Sequence, residues 1–176
     1  MISLFEADAA GAAQERLLAR ARVAMAAASL LALYLDPTEP IRYAVPAYLL
    51  LLAYVVASLV YFVVVRHSER RRRWRAAIAH GVDILWLAVL TSLTGASSSP
   101  LFAFFTFTVL AAAIQWGYIE TLATTLIILW ITLIEGIVLT WLGVTESEFV
   151  LNWFLVRISY MAIAGVLLSY LASYQK

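Results

Sequence analysis

The fold class predicted by this sequence is an all-α polytopic membrane protein, a bundle of six transmembrane helices behind a short amphipathic lead-in helix. Three observations carry that expectation. The 176-residue chain is 64% hydrophobic with a mean hydropathy of +0.91, against roughly 45 to 50% apolar residues in soluble domains. Six apolar runs approach the ~20 residues that a helix needs to cross a bilayer core. The segments between them, DPTEPIR, RHSERRRRWR, TGASSSP, YIE and GVTESEFVLN, are as short as antiparallel neighbours require, and none is large enough to hold a soluble domain.

Residues 1–16 start apolar and then carry Glu6, Asp8, Glu15 and Arg16, with Arg20 close behind. A secretory signal has a basic region, an apolar core and a small-residue cleavage site in that order. The order here predicts a cytoplasmic amphipathic helix instead. The apolar runs then follow at Leu17–Leu35, Tyr43–Val65, Ala76–Leu93, Leu101–Gly117, Thr121–Leu142 and Trp153–Tyr174. Residues 1–176 thus read as a single membrane-embedded domain with six spans within 17–174.

Orientation follows from Lys and Arg placement. With the N-terminus inside, Arg16, Arg20, Arg22, Arg66, Arg70, Arg71, Arg72, Arg73, Arg75 and Lys176 all lie on the cytoplasmic side, ten of the 12 basic residues. Arg42 falls on the other face beside Asp36, Glu39, Glu146 and Glu148, and Arg157 falls within a span. Trp74, Trp116, Tyr118, Tyr43 and Trp153 lie near span ends, where amphipathic rings anchor to headgroups. The basic run RHSERRRRWR reads as a topology determinant in contact with anionic lipid. Both termini are expected to be cytoplasmic.

The chain has no cysteine and two histidines, which excludes disulfides, thiolate catalysis and cysteine-based metal sites. No basic aromatic surface suggests nucleic acid. No catalytic group, metal site or cofactor is expected, and the chain does not read as an enzyme. Haem would need axial ligands from facing helices at one depth. His67 lies in the basic connection, leaving His80 with Met161 or a second copy of His80.

Glu135 and Arg157 are charges inside apolar runs. Such a residue costs about 2.5 to 3.5 kcal/mol at a helix centre on insertion scales, so it faces a partner or a wet cavity. Counted from the outer boundary at 1.5 Å per residue, Glu135 lies about 10 to 12 Å deep and Arg157 about 6 to 8 Å deep. The two runs are joined by a short loop, so an ion pair, direct or through water, is expected, serving as a packing clamp or as a polar sensing site. His80 and Asp83 are three residues apart, hence on one helical face. Asp83 is placed to accept a proton, to cap a neighbouring helix, to orient the imidazole or to receive Arg75 or another arginine of the basic connection.

Phe102, Phe104, Phe105 and Phe107 crowd about one and a half turns and cover more than one face. They serve as packing aromatics or line a cavity for a lipophilic ligand such as a quinone or fatty acid. Pro100 behind Ser97, Ser98 and Ser99 explains how this run starts. Ala24, Ala28 and Ala32, and likewise Gly165, Ser169 and Ser173, recur every four residues. Such rows allow close helix approach, within the chain or across a dimer seam.

The stretch HGVDILWLAVLTSLTGASSSPLFAFFTFTVLAAAIQWGYIETLATT, with its Asp83 helix, TGASSSP turn, aromatic run and Trp116–Gly117 pair, resembles the six-helix membrane input domain of bacterial sensor histidine kinases. The group includes the pilus-regulating sensor kinases, and similar modules precede cyclases; the likeness implies a location in a bacterial inner membrane. The likeness is clearest over about 45 residues, and Gln115 stands where many relatives carry a basic residue. It implies a sensory input domain that detects a membrane-borne signal, with Gln115 and Trp116 beside His80, Asp83, Phe102 and Phe105 as ligand-facing positions. Output would pass through the last helix, which ends in GVLLSYLASYQK with no Gly or Pro stop, to a cytoplasmic kinase or cyclase domain of the same polypeptide. That effector domain is not in this sequence. The implied assembly is a homodimer with Gly165, Ser169 and Ser173 near the two-fold axis. The competing readings are a haem- or quinone-binding redox protein and a small oligomeric channel or transporter.

Overall fold

The computed structural model describes residues 2–35, 44–67, 72–93, 103–141 and 151–174. They form α1 (Ile2–Leu35), α2 (Ala44–His67), α3 (Arg72–Leu93), α4 (Ala103–Gln115), α5 (Tyr118–Trp141) and α6 (Leu151–Ser173). Four of these contain segments long and apolar enough to cross a membrane: Val45–His67, Arg73–Leu93, Tyr118–Val138 and Phe154–Ser173.

The other two apolar runs fall on α1 and α4. The 34 residues of α1 reach about 51 Å at 1.5 Å per residue. The lead-in helix and the first apolar run are therefore one continuous rod, built largely from strong helix formers such as Ala and Leu. Helix α4 has 13 residues, about 20 Å, and sits in the middle of the bundle against α1, α3, α5 and α6. Residues 94–102, with the TGASSSP turn, Pro100 and Phe102, lie outside the described residues.

Two separators are more helical than the sequence suggests. Arg72–Arg75 already belong to α3. The segment YIE opens α5, and the reversal from α4 is made by Trp116 and Gly117 alone. Gly117 takes φ 133°, a left-handed region in which a side chain is strained. Its carbonyl then accepts the first α5 bond, from Thr121 N–H at 3.0 Å.

Apart from the central α4, each helix buries one stripe at three- and four-residue intervals. On α2 this is Ala47, Leu51, Tyr54, Ser58 and Val65; on α3 it is Ala76, His80, Asp83, Leu87 and Leu90. The stripes carry most of the polarity, with Arg22, Glu15, Thr121, Thr124, Thr125 and Thr132 buried. The outer faces carry Val56, Val60, Leu85, Ile127, Ile134 and Val166 exposed. Polar groups inside and hydrocarbon outside reverse the soluble pattern, and they fit a lipid solvent in which every polar group needs an internal partner. The buried hydroxyls comply. Thr108 donates to Phe104 O at 2.9 Å, Thr125 to Thr121 O at 2.9 Å, Thr132 to Ile128 O at 3.0 Å and Ser169 to Gly165 O at 2.7 Å, the back-bond to the preceding turn that leaves no orphan hydroxyl in a helix.

The apolar core joins Ala26, Tyr54, Leu87, Phe104, Phe105 and Ile128 with Met161. Phe105 is therefore a core side chain, 1% exposed. Gly165 and Ser169 do not form an outward seam: both are buried in the chain, and a Cβ on Gly165 would run into the Thr125 side chain of α5. The close approach that small residues permit is used between α5 and α6, the helices joined by the last connection. Ser173, Ala24 and Ala28 are exposed, whereas the side chain of Ala32 lies outside the described residues.

Candidate functional site

The deepest charged residue is Arg22, 2% exposed, although its place near the arginine-rich end made it look like a topology marker. It lies on the small-residue face of α1 with Ala19 and Ala26, both fully buried. That face lets α1 approach the bundle and carries the guanidinium inside. Arg22 Nε donates to Asp83 Oδ2 at 2.6 Å, and Tyr54 Oη donates to Asp83 Oδ1 at 2.8 Å. The guanidinium carbon sits 5.1 Å from the centre of the Tyr61 ring, within cation–π range. Three helices are thus tied through one carboxylate.

A second pair adjoins the first. Arg75 Nη2 lies 3.6 Å from Glu15 Oε2, and Tyr61 Oη donates to Glu15 Oε1 at 3.2 Å. Arg75 therefore reaches Glu15 on α1, and Asp83 takes Arg22 in place of an arginine from the basic connection. The physical reason is position: Asp83 lies about 12 Å further along α3 than Arg75, whereas Arg22 arrives at Asp83 from the facing helix. Between α2 and α3 these groups border a cavity of about 350 Å³, with Arg22, Tyr54, Ser58 and Asp83 beside the apolar Val60, Val64, Ile78 and Val82.

His80 turns away from Asp83. Its Nε2 shares a 3.0 Å hydrogen bond with Thr124 Oγ1 on α5, and its ring meets Trp116 edge-on with centroids 4.8 Å apart. The imidazole thus links α3 to the α4–α5 turn and to α5, while Met161 packs in the core. Gln115 and Trp116 border a second, more polar cavity of about 330 Å³ with Gln14, Glu15, Arg73 and Glu120.

At the other end of α3, Glu135 accepts from Thr91 Oγ1 at 3.0 and 3.2 Å and from Ser92 Oγ at 3.0 Å. The Thr91 proton has competing acceptors in the carbonyls of Leu87, at 2.9 Å, and Ala88, at 3.0 Å. The expected Glu135–Arg157 ion pair is not made by direct contact among the described residues. Ion pairs among the described residues include Arg22–Asp83 and Arg75–Glu15, and Arg157 has an interaction of its own. The hydroxyls of α3 face Glu135 directly and hold its carboxylate.

Of the residues singled out from sequence, the fold brings His80, Asp83, Gln115 and Trp116 to the arginine-rich half of the bundle, keeps Glu135 at the opposite level and places Phe105 in the core. Sequence reasoning missed Arg22 as a buried partner, together with Tyr54, Tyr61, Thr91, Ser92 and Thr124. A helical wheel of α1 would have found Arg22, since Arg16 and Arg20 are exposed on the opposite side. No protein-family model, curated protein or solved structure matches this chain.

Proposed function

We propose that this chain is a membrane-embedded sensory input domain that responds to a signal within the bilayer and passes a helix displacement out through α6. The observation that carries the reading is the Arg22–Asp83–Tyr54 network bordering a cavity between α2 and α3. A buried ion pair is a poor source of stability but a sharp determinant of helix position, because it is satisfied in only a few arrangements. Occupancy of the cavity, or a change in charge at Asp83, would favour one arrangement over another.

A contiguous set of contacts supports transmission. His80 binds Thr124 on α5, and one residue along α5, Thr125 packs against Gly165 of α6. A shift of α3 therefore bears on the α5–α6 pair. The arginine distribution supports a cytoplasmic position for the end where α6 leaves, and the inner-membrane location in a bacterium rests on the resemblance described above. Pairing of two copies would use exposed faces, such as that of Ala24 and Ala28, and not Gly165. The cytoplasmic kinase or cyclase partner rests on the resemblance described above.

The test is output from the domain fused to a histidine kinase or nucleotide cyclase reporter. Asp83→Asn and His80→Ala should change output by about fivefold or more, the low end of allosteric coupling, while the lipid-facing Leu85→Ala leaves it unchanged. Equal output from all variants, at equal membrane insertion, would remove the reading.

A further inference from the structure

We propose that the cavity between α2 and α3 binds an uncharged lipophile bearing a carbonyl oxygen, which accepts hydrogen bonds from the terminal nitrogens of Arg22. The Nε of Arg22 is committed to Asp83, but Nη1 and Nη2 are buried and have no hydrogen-bond partner. A guanidinium only donates, and a buried donor left unmade costs the desolvation of that group. Tyr54 Oη and the Asp83 oxygens keep lone pairs, but as they stand, with Tyr54 donating to Oδ1 and Nε to Oδ2, none of them accepts from Nη1 or Nη2. An acceptor brought by a ligand in the cavity that Arg22 lines would satisfy them.

Three properties of the cavity narrow the acceptor's chemistry. Its volume of about 350 Å³ is at the small end of ligand pockets, roughly 300 to 1,000 Å³. Val60, Val64 and Ile78 on its border are exposed, so it opens on the face that would meet lipid, and a ligand would enter sideways from the bilayer. Charge is the deciding property. Arg22 is balanced by Asp83 and Arg75 by Glu15, so an anionic head would add an uncompensated buried charge, whereas a carbonyl adds none.

The inference rests on the sensory reading for its biological meaning but is tested by binding rather than by output, so either can fail alone. The full chain in lipid nanodiscs is titrated with a long-chain methyl ketone labelled with carbon-13 at the carbonyl, the fatty acid of equal length and the corresponding alkane. The expected result is saturable ketone binding about tenfold or more tighter than the alkane, with the carbonyl infrared band lowered on binding. Ala57→Trp fills the cavity from an exposed wall position, leaves the ion pair intact and should abolish binding. Arg22→Gln should return the band towards its free position. Equal affinity for ketone and alkane, preference for the fatty acid, ketone binding that survives Ala57→Trp, or no binding by any probe would each overturn the proposal.

Discussion

Arg22 of α1 and Asp83 of α3 meet at 2.6 Å with both side chains buried, and Tyr54 of α2 completes the contact on the other carboxylate oxygen. Removing one member of such a pair leaves a bare buried charge, which costs about 3 to 5 kcal/mol, whereas replacing both by apolar residues of similar size is nearly neutral. Chemical denaturation in detergent should therefore show Arg22→Met and Asp83→Leu as strongly destabilising alone. The double variant should recover most of the loss. Losses that simply add would mean that the two charges are not coupled.

Glu135 makes a second cycle informative. Thr91→Val removes a hydroxyl that reaches both carboxylate oxygens, so it should couple to Glu135→Gln by about 0.5 to 2 kcal/mol, the range for residues in one hydrogen-bond network. Arg157→Met combined with Glu135→Gln should be additive within about 0.5 kcal/mol. A large coupling in the second cycle would restore the ion pair that the sequence suggested.

At the α5–α6 contact the prediction is steric. A leucine at Gly165 meets the Thr125 side chain, and overpacking of this kind costs about 1 to 3 kcal/mol or more. Gly165→Ala should be harmful alone and partly rescued by Thr125→Ala, read as the thermal midpoint in detergent. Cysteine crosslinking between copies should succeed at exposed Ala28 or Ser173 before it does at buried Ser169. Efficient crosslinking at Ser169 would place α6 at a dimer axis after all.

Substitution of Gly117 by alanine imposes a side chain on a left-handed backbone, a strain of about 1 to 3 kcal/mol. The turn it closes also holds Trp116 against His80. The variant should lower stability by that amount and alter Trp116 fluorescence, while Gly81→Ala, where an added Cβ meets open space, should do neither. Matching effects at the two glycines would show that the turn is not constrained.

The four long spans were legible because a lipid-crossing helix needs an uninterrupted apolar run, and α2, α3, α5 and α6 supply one. His80 and Asp83 were legible as inward polar residues for the same reason. The continuity of α1 was not, because Glu15, Arg16 and Arg20 look like the edge of a membrane span, although helix geometry carries Glu15 and Arg22 inside while Arg16 and Arg20 point out. Partner identity was the hardest part. Thr91 and Ser92 barely alter hydropathy, so nothing in the sequence marks them as the hydroxyls that hold Glu135, and the only conspicuous opposite charge nearby was Arg157.

Coupling between the Arg22–Asp83 pair and α6 is tested most directly by pulsed electron paramagnetic resonance in lipid nanodiscs, with spin labels at exposed Trp74 of α3 and Ser173 of α6. If α3 transmits its position through Thr124 and Thr125, Asp83→Asn should move the mean distance by about 1 to 2 Å, the size of interfacial helix shifts, and Leu85→Ala should not. An identical distance distribution in the parent and in a folded Asp83→Asn variant would contradict the sensory role proposed for the network.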